Sequence, residues 1–357
     1  MSLLLLLFLP VVIGLFGLIF SKGFITWKEF LVLEGAIIVV ISTGFLIGKY
    51  SRNSDVEIWN GVIVSKQKVP MGCCHSYPCN CHEVCSGSGS DRSCSRECDT
   101  CYQHTHDEKY VAKTSNDEIA YEDGCNAPGS PEPKRFTEII MGEPTAIEHT
   151  YQNYIKGSKD TLFKRDGALD KFKDQIPEYP RVFDLYRNNR FIFQGLSDSK
   201  QKEWNERLSV LNGSLGKQKQ VNMIVVVTKE SDQAYVEALN QAWLGGKKND
   251  YIIVIGAPEY PKISWVAVLS WSKSEDAKVV TRDRILELEN FDGEKIVNII
   301  GEEVNTKYVR REMKDFEYLK ASLEPSKGVQ IFLFILGLVV SIGLTIFFWV
   351  EDPFETK

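Results

Sequence analysis

The sequence predicts an α+β membrane protein, in which three apolar segments anchor a polar region that folds in water. Three observations lead to this prediction. Two long apolar segments open the 357-residue chain, and a third lies near its end. Eight of the nine cysteines fall between Cys73 and Cys101, with Cys125 as the ninth. Beyond residue 180, short β-branched runs alternate with helical patterns, as they do in α/β domains.

The apolar segments have the length and composition of membrane-spanning helices, and the first two are expected to form a helical hairpin at residues 1–50. Residues 3–20 and 329–350 carry no charge, and residues 31–49 carry only Glu34 and the terminal Lys49. A helix needs about 20 apolar residues to cross the hydrocarbon core, where backbone groups must be satisfied internally. The lipid bilayer is therefore the first expected partner. The alternative for the first segment is a cleaved signal peptide, but a basic start and a clear cleavage site are lacking.

Charges beside the third segment predict its orientation. Lys320 and Lys327 precede it, whereas Glu351 and Asp352 follow it. Positive charge favours the cytoplasmic side, so the central region is expected in the cytoplasm. Two crossings before that region place the N-terminus on the same side. Glu34 lies near a helix end and is expected at the level of the headgroups.

A small β-rich domain is expected at residues 51–135. Residues 55–69 have the pattern of a strand, and residues 108–121 are expected to continue the domain. The stretch 86–91 is rich in glycine and serine and separates two cysteine-bearing arms. Two arms joined by such a turn predict a β-hairpin.

Cysteine spacing in the two arms predicts a structural zinc site. Zinc takes four nitrogen or sulfur ligands, commonly as two close pairs, and here a C-x-C pair faces a C-x-x-C pair. The predicted zinc ligands are Cys79, Cys81, Cys98 and Cys101, with His75 and His104 in reserve. Such a site would stabilise a domain that lacks a sizeable core of its own.

Disulfides are the alternative for the same cysteines. Cys85 and Cys94 flank the turn and can pair across the hairpin, and an oxidising compartment would favour further pairs. Nine is an odd number, so at least one thiol would stay free or pair between chains. An exposed thiol of low pKa would make the cluster a redox sensor. A catalytic metal, with Glu83, Asp99 or Asp107 as the base, is disfavoured because no HExxH-type helix frames it.

The region 181–325 has the pattern of an α/β domain, which the connection 136–180 precedes. Predicted helices cover residues 197–216, 231–244 and 294–310, and predicted strands cover 221–227, 251–255 and 263–271. Strand, helix and strand at this spacing form a right-handed βαβ unit with parallel strands. The last, alternating strand is expected to be antiparallel to its neighbours.

This α/β region resembles the TPM-domain family over residues 183–318. The resemblance is carried by the strand 221–227, by the helix that closes with Trp243, Gly245 and Gly246, and by the strand after it. Family members include thylakoid-lumen proteins of photosystem repair, an auxiliary protein of acetylcholine receptors and bacterial membrane-anchored proteins. The resemblance implies an α/β sandwich that binds a partner or acts as a metal-dependent phosphatase. The combination with a cysteine-rich insert resembles membrane proteins of large tailed phages. These resemblances imply a location in a bacterial inner membrane.

The function is expected to be non-enzymatic. The sequence has no GxSxG elbow and no phosphate-binding loop, and His149 is the only histidine away from the cysteine cluster. The net charge of −6 argues against nucleic-acid binding. Carboxylates near strand ends are usually only solvated, but four of them are candidates for holding a divalent cation: Asp184, Asp232, Asp250 and Glu259. We therefore expect a membrane-anchored scaffold or interaction protein that binds another protein, with a phosphatase and a thiol redox sensor as alternatives.

Overall fold

Two compact units make up the structure, a computed structural model that describes residues 3–20, 25–87, 92–158, 168–182 and 189–351. Each unit is assembled from segments that are distant in the sequence. The first contains Met1–Glu57, Thr150–Asp166 and Arg311–Lys357, and the second contains Ile58–His149 and Gly167–Arg310. The cysteine-rich region and the α/β region, predicted as separate domains, therefore lie mostly in one unit.

The helices and strands of the described residues are numbered in chain order. The helices are α1 (Leu3–Phe20), α2 (Trp27–Asn53), α3 (Lys134–Glu138), α4 (Tyr154–Gly157), α5 (Ala168–Phe172), α6 (Gln201–Lys219), α7 (Tyr235–Ala242), α8 (Glu275–Leu286), α9 (Gly293–Lys307) and α10 (Lys327–Glu351). The strands are β1 (Ser54–Met71), β2 (Ser76–Ser86), β3 (Ser93–Tyr102), β4 (Asp107–Thr114), β5 (Ile119–Asn126), β6 (Pro144–Gln152), β7 (Phe191–Gln194), β8 (Asn222–Thr228), β9 (Asp250–Gly256) and β10 (Trp265–Ser270). Two 3-10 segments cover Lys173–Gln175 and Met313–Ser322.

The three apolar segments form helices α1, α2 and α10, which confirms their predicted secondary structure. Each is long and apolar enough to cross a membrane. They pack closely through small residues. A Cβ added to Gly44 of α2 would lie 2.6 Å from Leu333, and one added to Gly48 would lie 2.7 Å from Val329, both on α10. Small residues let apolar helices pack closely in lipid, where the hydrophobic effect does not drive their association. Residues 21–24, between α1 and α2, lie outside the described residues.

A four-stranded sheet in the order β5-β4-β1-β6 carries the predicted β-rich domain. Strand β4 pairs antiparallel with both β1 and β5. The predicted strand at 55–69 is confirmed as β1, and the predicted continuation as β4 and β5. The segment 136–180 is more than the connection we predicted, because it supplies β6. This strand lies at the edge of the sheet and is only half buried, so its sequence shows a weak apolar pattern.

Hairpin β2–β3 forms a sheet of its own and confirms the predicted hairpin. Most of its residues are exposed, so it buries little apolar surface. Its shape is held instead by three disulfides between the strands: Cys79–Cys101, Cys81–Cys98 and Cys85–Cys94. A fourth disulfide, Cys74–Cys125, ties the start of the hairpin to β5. Residues 88–91 of the turn lie outside the described residues.

The α/β region is built on a second sheet in the order β10-β9-β8-β7. Strands β7, β8 and β9 are parallel, and β10 is antiparallel to β9, as predicted for the βαβ unit and the strand after it. Every residue of β8 and β9 is buried, because apolar clusters cover both faces. Sequence patterns miss β7, which has four residues, and α8, which buries only Ala277, Thr281 and Ile285.

The two sheets are joined by contact between β1 and α6. A Cβ added to Gly216 of α6 would lie 1.9 Å from the carbonyl oxygen of Asn60, so this approach requires glycine. The Asn60 Nδ2 atom donates to the Val221 carbonyl oxygen at 2.9 Å and to Asn212 Oδ1 at 3.3 Å. Arg190, which is 2% exposed, donates to Asn60 Oδ1. A buried polar cluster therefore fixes the β-rich sheet to the α/β region.

Candidate metal centre

Four potential metal ligands meet at the root of hairpin β2–β3. They are Cys73, His75, His104 and Asp107, and their ligand atoms all lie within 4.8 Å of one another. Cys73 and His75 precede β2, His104 follows β3, and Asp107 begins β4. Antiparallel pairing brings these segments together, and the Gln103 N–H donates to the His75 carbonyl oxygen at 2.9 Å. Within the described ranges, no second group of this kind is found.

Both imidazoles turn the Nδ1 atom toward the Asp107 carboxylate. His75 Nδ1 lies 2.9 Å from Oδ2, and His104 Nδ1 lies 3.2 Å from Oδ1. The Cys73 sulfur lies 3.7 Å from the same nitrogen of His104. Zinc binds nitrogen at about 2.0 Å and sulfur at about 2.3 Å, so the edges of its tetrahedron are about 3.3–3.6 Å. These three distances lie within about 0.4 Å of such edges, and every other pair of ligand atoms in the group lies within 4.8 Å.

Asp107 is the buried member of the group, with a side chain that is 0% exposed. Its Oδ2 atom accepts a hydrogen bond from the Cys74 N–H at 2.7 Å, whereas Oδ1 accepts none from the described residues. Burial raises the pKa of this carboxyl, but the Cys74 N–H, His75 and Cys73 together outweigh burial, so the pKa lies below its ordinary value. A buried carboxylate oxygen without a donor is costly unless a cation approaches it.

The contacts favour a metal site over a nucleophilic Cys-His-Asp triad. In a triad, the histidine uses one ring nitrogen for the nucleophile and the other for the carboxylate. Here His104 meets both Cys73 and Asp107 through Nδ1 alone. A single nitrogen cannot relay a proton between a thiol and a carboxylate, but it can share an ion with both.

One cysteine sulfur, two imidazoles and one carboxylate form a donor set that zinc accepts. Calcium and magnesium prefer oxygen ligands throughout. Four protein ligands fill a tetrahedron, which is typical of a structural site. The side chains of His75 and His104 are 37% and 30% exposed, which leaves a route for an ion to enter.

Comparison with protein-family models, curated proteins and solved structures finds no match to this chain. The chemistry of the hairpin root is therefore inferred from its geometry. The resemblance to the TPM-domain family stays a prediction.

The predicted four-cysteine zinc site does not form in the structure. Cys79 is bonded to Cys101, and Cys81 to Cys98. A sulfur in a disulfide is not a thiolate, so it does not act as a zinc ligand. Pairing of the two strands joins these cysteines in twos rather than in one group of four. The alternative disulfide Cys85–Cys94 is present, and the reserve ligands His75 and His104 lie in the group at the hairpin root.

Two members of the group, Cys73 and Asp107, were not among the predicted ligands. Cys73 is the one free cysteine of the described residues, as the odd cysteine count allowed. The Cys73-Cys74 doublet contains no signal that tells which of the two is free. The sequence offers Asp107 only as a possible base, together with Glu83 and Asp99, both of which lie on the exposed hairpin. Only the fold shows that Asp107 is buried beside two histidines.

The carboxylates considered for a divalent cation do not converge. Asp250 is buried in a hydrogen-bonded network, and Asp232 forms an ion pair with Lys171 at 2.5 Å. Glu259 is exposed in a turn after β9. Asp184 lies outside the described residues.

Proposed function

We propose that this protein is a membrane-anchored, non-enzymatic scaffold that presents a rigid hairpin on a structural zinc site. The observation that carries the proposal is the meeting of Cys73, His75, His104 and Asp107 at the hairpin root. An ion there would tie the hairpin to β4, while three disulfides hold the hairpin itself. The proposed ion and the disulfides both stabilise the surface of the hairpin, and neither exposes a reactive group.

Hairpin β2–β3 is the part best suited to bind another protein. Its Tyr77 and Tyr102 side chains are 46% and 58% exposed. Tyrosine is enriched in interfaces, where it contributes a large contact area. A surface that is rigid before binding loses little conformational entropy when a partner docks. These features support a partner-binding role for the hairpin.

We place the hairpin in an oxidising compartment at the outer face of the membrane. The three long apolar helices are consistent with a membrane protein. The four disulfides favour an oxidising environment, because cytosolic thiols are kept reduced. This side is opposite to the one that the charge bias around Lys320 and Lys327 predicts. We give more weight to eight paired cysteines than to a few flanking charges.

A photo-reactive residue placed in the hairpin tests this function. The full chain is studied in its membrane, with the cross-linker at Tyr77 or at Ile119 of β5, which is equally exposed at 46%. We expect a discrete cross-linked protein from position 77 that disappears in an Asp107→Asn variant, and none from position 119. Equal products from both positions, or a product that survives Asp107→Asn, would contradict a metal-supported binding hairpin.

A separate assay addresses the phosphatase alternative. Hydrolysis of a generic phosphate ester by the purified chain, abolished by Asp250→Ala, would replace the scaffold proposal with an enzymatic one. Thiol redox sensing stays a prediction, and a metal bound to Cys73 would mask the thiol that it needs.

A further inference from the structure

A cavity of about 600 Å³ lies in the first unit, where α2 ends and the chain enters α10. It is lined by aliphatic, aromatic and cationic side chains, most of them on α2. The lining residues that matter here are Leu46, Ile47, Lys49, Asn53, Tyr154 and Lys320. Leu46 and Ile47 are 62% and 64% exposed, so the cavity continues into an apolar helix surface.

Helix geometry places this cavity at the edge of the hydrocarbon core. Trp27 begins α2 and is 59% exposed, as suits a residue at one membrane interface. Ile47 lies twenty residues later on the same helix, which corresponds to about 30 Å at 1.5 Å per residue. The hydrocarbon core is also about 30 Å thick. Ile47 therefore lies near the opposite boundary, and Lys49 and Asn53 fall in the headgroup layer.

Two ammonium groups line the cavity. Lys49 Nζ lies 3.5 Å from the carbonyl oxygen of Lys320, and no ion pair of Lys49 is found in the described residues. Lys320 Nζ lies 5.2 Å from the ring centre of Tyr154 and is also paired with Glu317. Lys49 thus contributes a full positive charge, and Lys320 contributes a partly compensated one.

Asn53 provides an independent observation that points to a ligand. The residue is 3% exposed, and its Oδ1 atom accepts no hydrogen bond from the described residues. A buried amide oxygen without a donor is unfavourable, so a ligand that carries a hydroxyl or water would satisfy it. The cavity therefore offers cations for an anion, an acceptor for a hydroxyl and an apolar wall beyond.

We propose that this cavity binds an anionic phospholipid with a hydroxyl-bearing headgroup, such as a phosphatidylglycerol. The phosphate lies between Lys49 and Lys320, a headgroup hydroxyl donates to Asn53, and an acyl chain follows Leu46 and Ile47. This inference rests on the proposed membrane anchoring and goes beyond the role of the hairpin. Each lysine near an anionic lipid contributes about a fivefold gain in affinity.

Native mass spectrometry of the full chain tests the site. The chain is reconstituted in equal amounts of phosphatidylglycerol and phosphatidylcholine, extracted in mild detergent and examined for retained lipid. We expect wild type to retain phosphatidylglycerol, Lys49→Gln to reduce this about fivefold, and Lys49→Arg to preserve it. Lys28→Gln, at the other end of α2, is the matched control and should behave as wild type. Free glycerol phosphate should not displace the lipid at about 10 mM, a concentration that would occupy even a site with a millimolar dissociation constant.

Several outcomes would overturn the lipid site. These are equal retention of both lipids, retention that Lys49→Gln leaves unchanged, and displacement by glycerol phosphate, which would indicate a site for a soluble phosphate ester. A chain that alkaline carbonate extracts from membranes would contradict the anchoring as well. Firm insertion with no lipid preference would contradict the lipid site alone.

Discussion

The Nδ1 atom of His104 lies 3.2 Å from the Oδ1 atom of Asp107, an ion-pair contact, and no described residue donates a hydrogen bond to that oxygen. A cation placed between the carboxylate oxygen and an unprotonated imidazole nitrogen would be attracted to both. The Cys73 sulfur lies 3.7 Å from the same nitrogen and could supply a third ligand to such a cation. This relationship is what distinguishes the hairpin root from an ordinary polar cluster.

Removal of the proposed metal should loosen the hairpin root and leave the α/β sheet unchanged. The Cys74 and Gln103 amides donate the hydrogen bonds that close the root, so they report its opening. Hydrogen exchange by mass spectrometry on zinc-loaded and chelated protein should show faster exchange at these amides, with no change in β8. If the root exchanges at the same rate in both samples, the metal has no structural role.

The disulfides should differ in their contribution to stability. Cys74–Cys125 closes a loop of 51 residues, whereas Cys85–Cys94 closes one of 9. Loop-closure entropy predicts losses of about 4 and about 3 kcal/mol in the free energy of unfolding when each pair is replaced by serine. Urea unfolding of the two double variants measures both values. A larger loss for the short loop would contradict this order.

Replacement of Gly216 by alanine should separate β1 from α6. The added methyl group would meet the Asn60 carbonyl oxygen at 1.9 Å, and a backbone atom cannot rotate away. Overpacking of this kind lowers the free energy of unfolding by about 1–3 kcal/mol. Gly301→Ala in α9 is the control, because its methyl group would meet only the flexible Leu211 side chain at 3.1 Å. If thermal unfolding shows the same loss of stability in both variants, the close contact between Gly216 and Asn60 is contradicted.

Asp250 should make stability depend on pH. Burial raises the pKa of this carboxyl to about 6, against hydrogen bonds from Lys247 and Asn222 that lower it. The folded protein then binds the proton more tightly than the unfolded chain does. Stabilisation is therefore full below the ordinary pKa of 3.8 and is lost as the pH rises through about 6. The shift corresponds to about 3 kcal/mol.

Urea unfolding of wild type and Asp250→Ala at pH 4 and pH 7.5 checks this shift, since about two pKa units separate the two states. Wild type should lose stability relative to the variant as the pH rises. Asp232 provides a control of opposite sign, because its hydrogen bond with Lys171 lowers its pKa. A difference between wild type and Asp250→Ala that stays constant with pH would contradict the raised pKa.

Much of the fold follows from patterns that need no long-range information. The three apolar helices, the hairpin and the β8-α7-β9 unit each carry their own period or turn signal, and each was predicted near its observed position. Elements without a strong local signal were missed. Strand β6 was predicted as a connection because an edge strand needs few apolar residues.

The candidate site was harder to predict because it depends on pairing between distant cysteines. In the sequence, a cysteine that binds a metal looks the same as a cysteine that forms a disulfide. The two histidines were identified as possible ligands from their place on the arms. Cys73 and Asp107 were not, because their meeting depends on the pairing of β2 with β3 and on the disulfide that removes Cys74 from consideration.

Bound metal per chain is the most direct test of the proposed site. The full chain, purified without reductant or chelator, should contain about one zinc ion by elemental mass spectrometry. Cys73→Ser and Asp107→Asn should each weaken zinc binding at least about tenfold, whereas Asp99→Asn on the exposed hairpin should not. Absence of metal from the wild type, or zinc that survives both substitutions, would contradict a metal centre at the hairpin root.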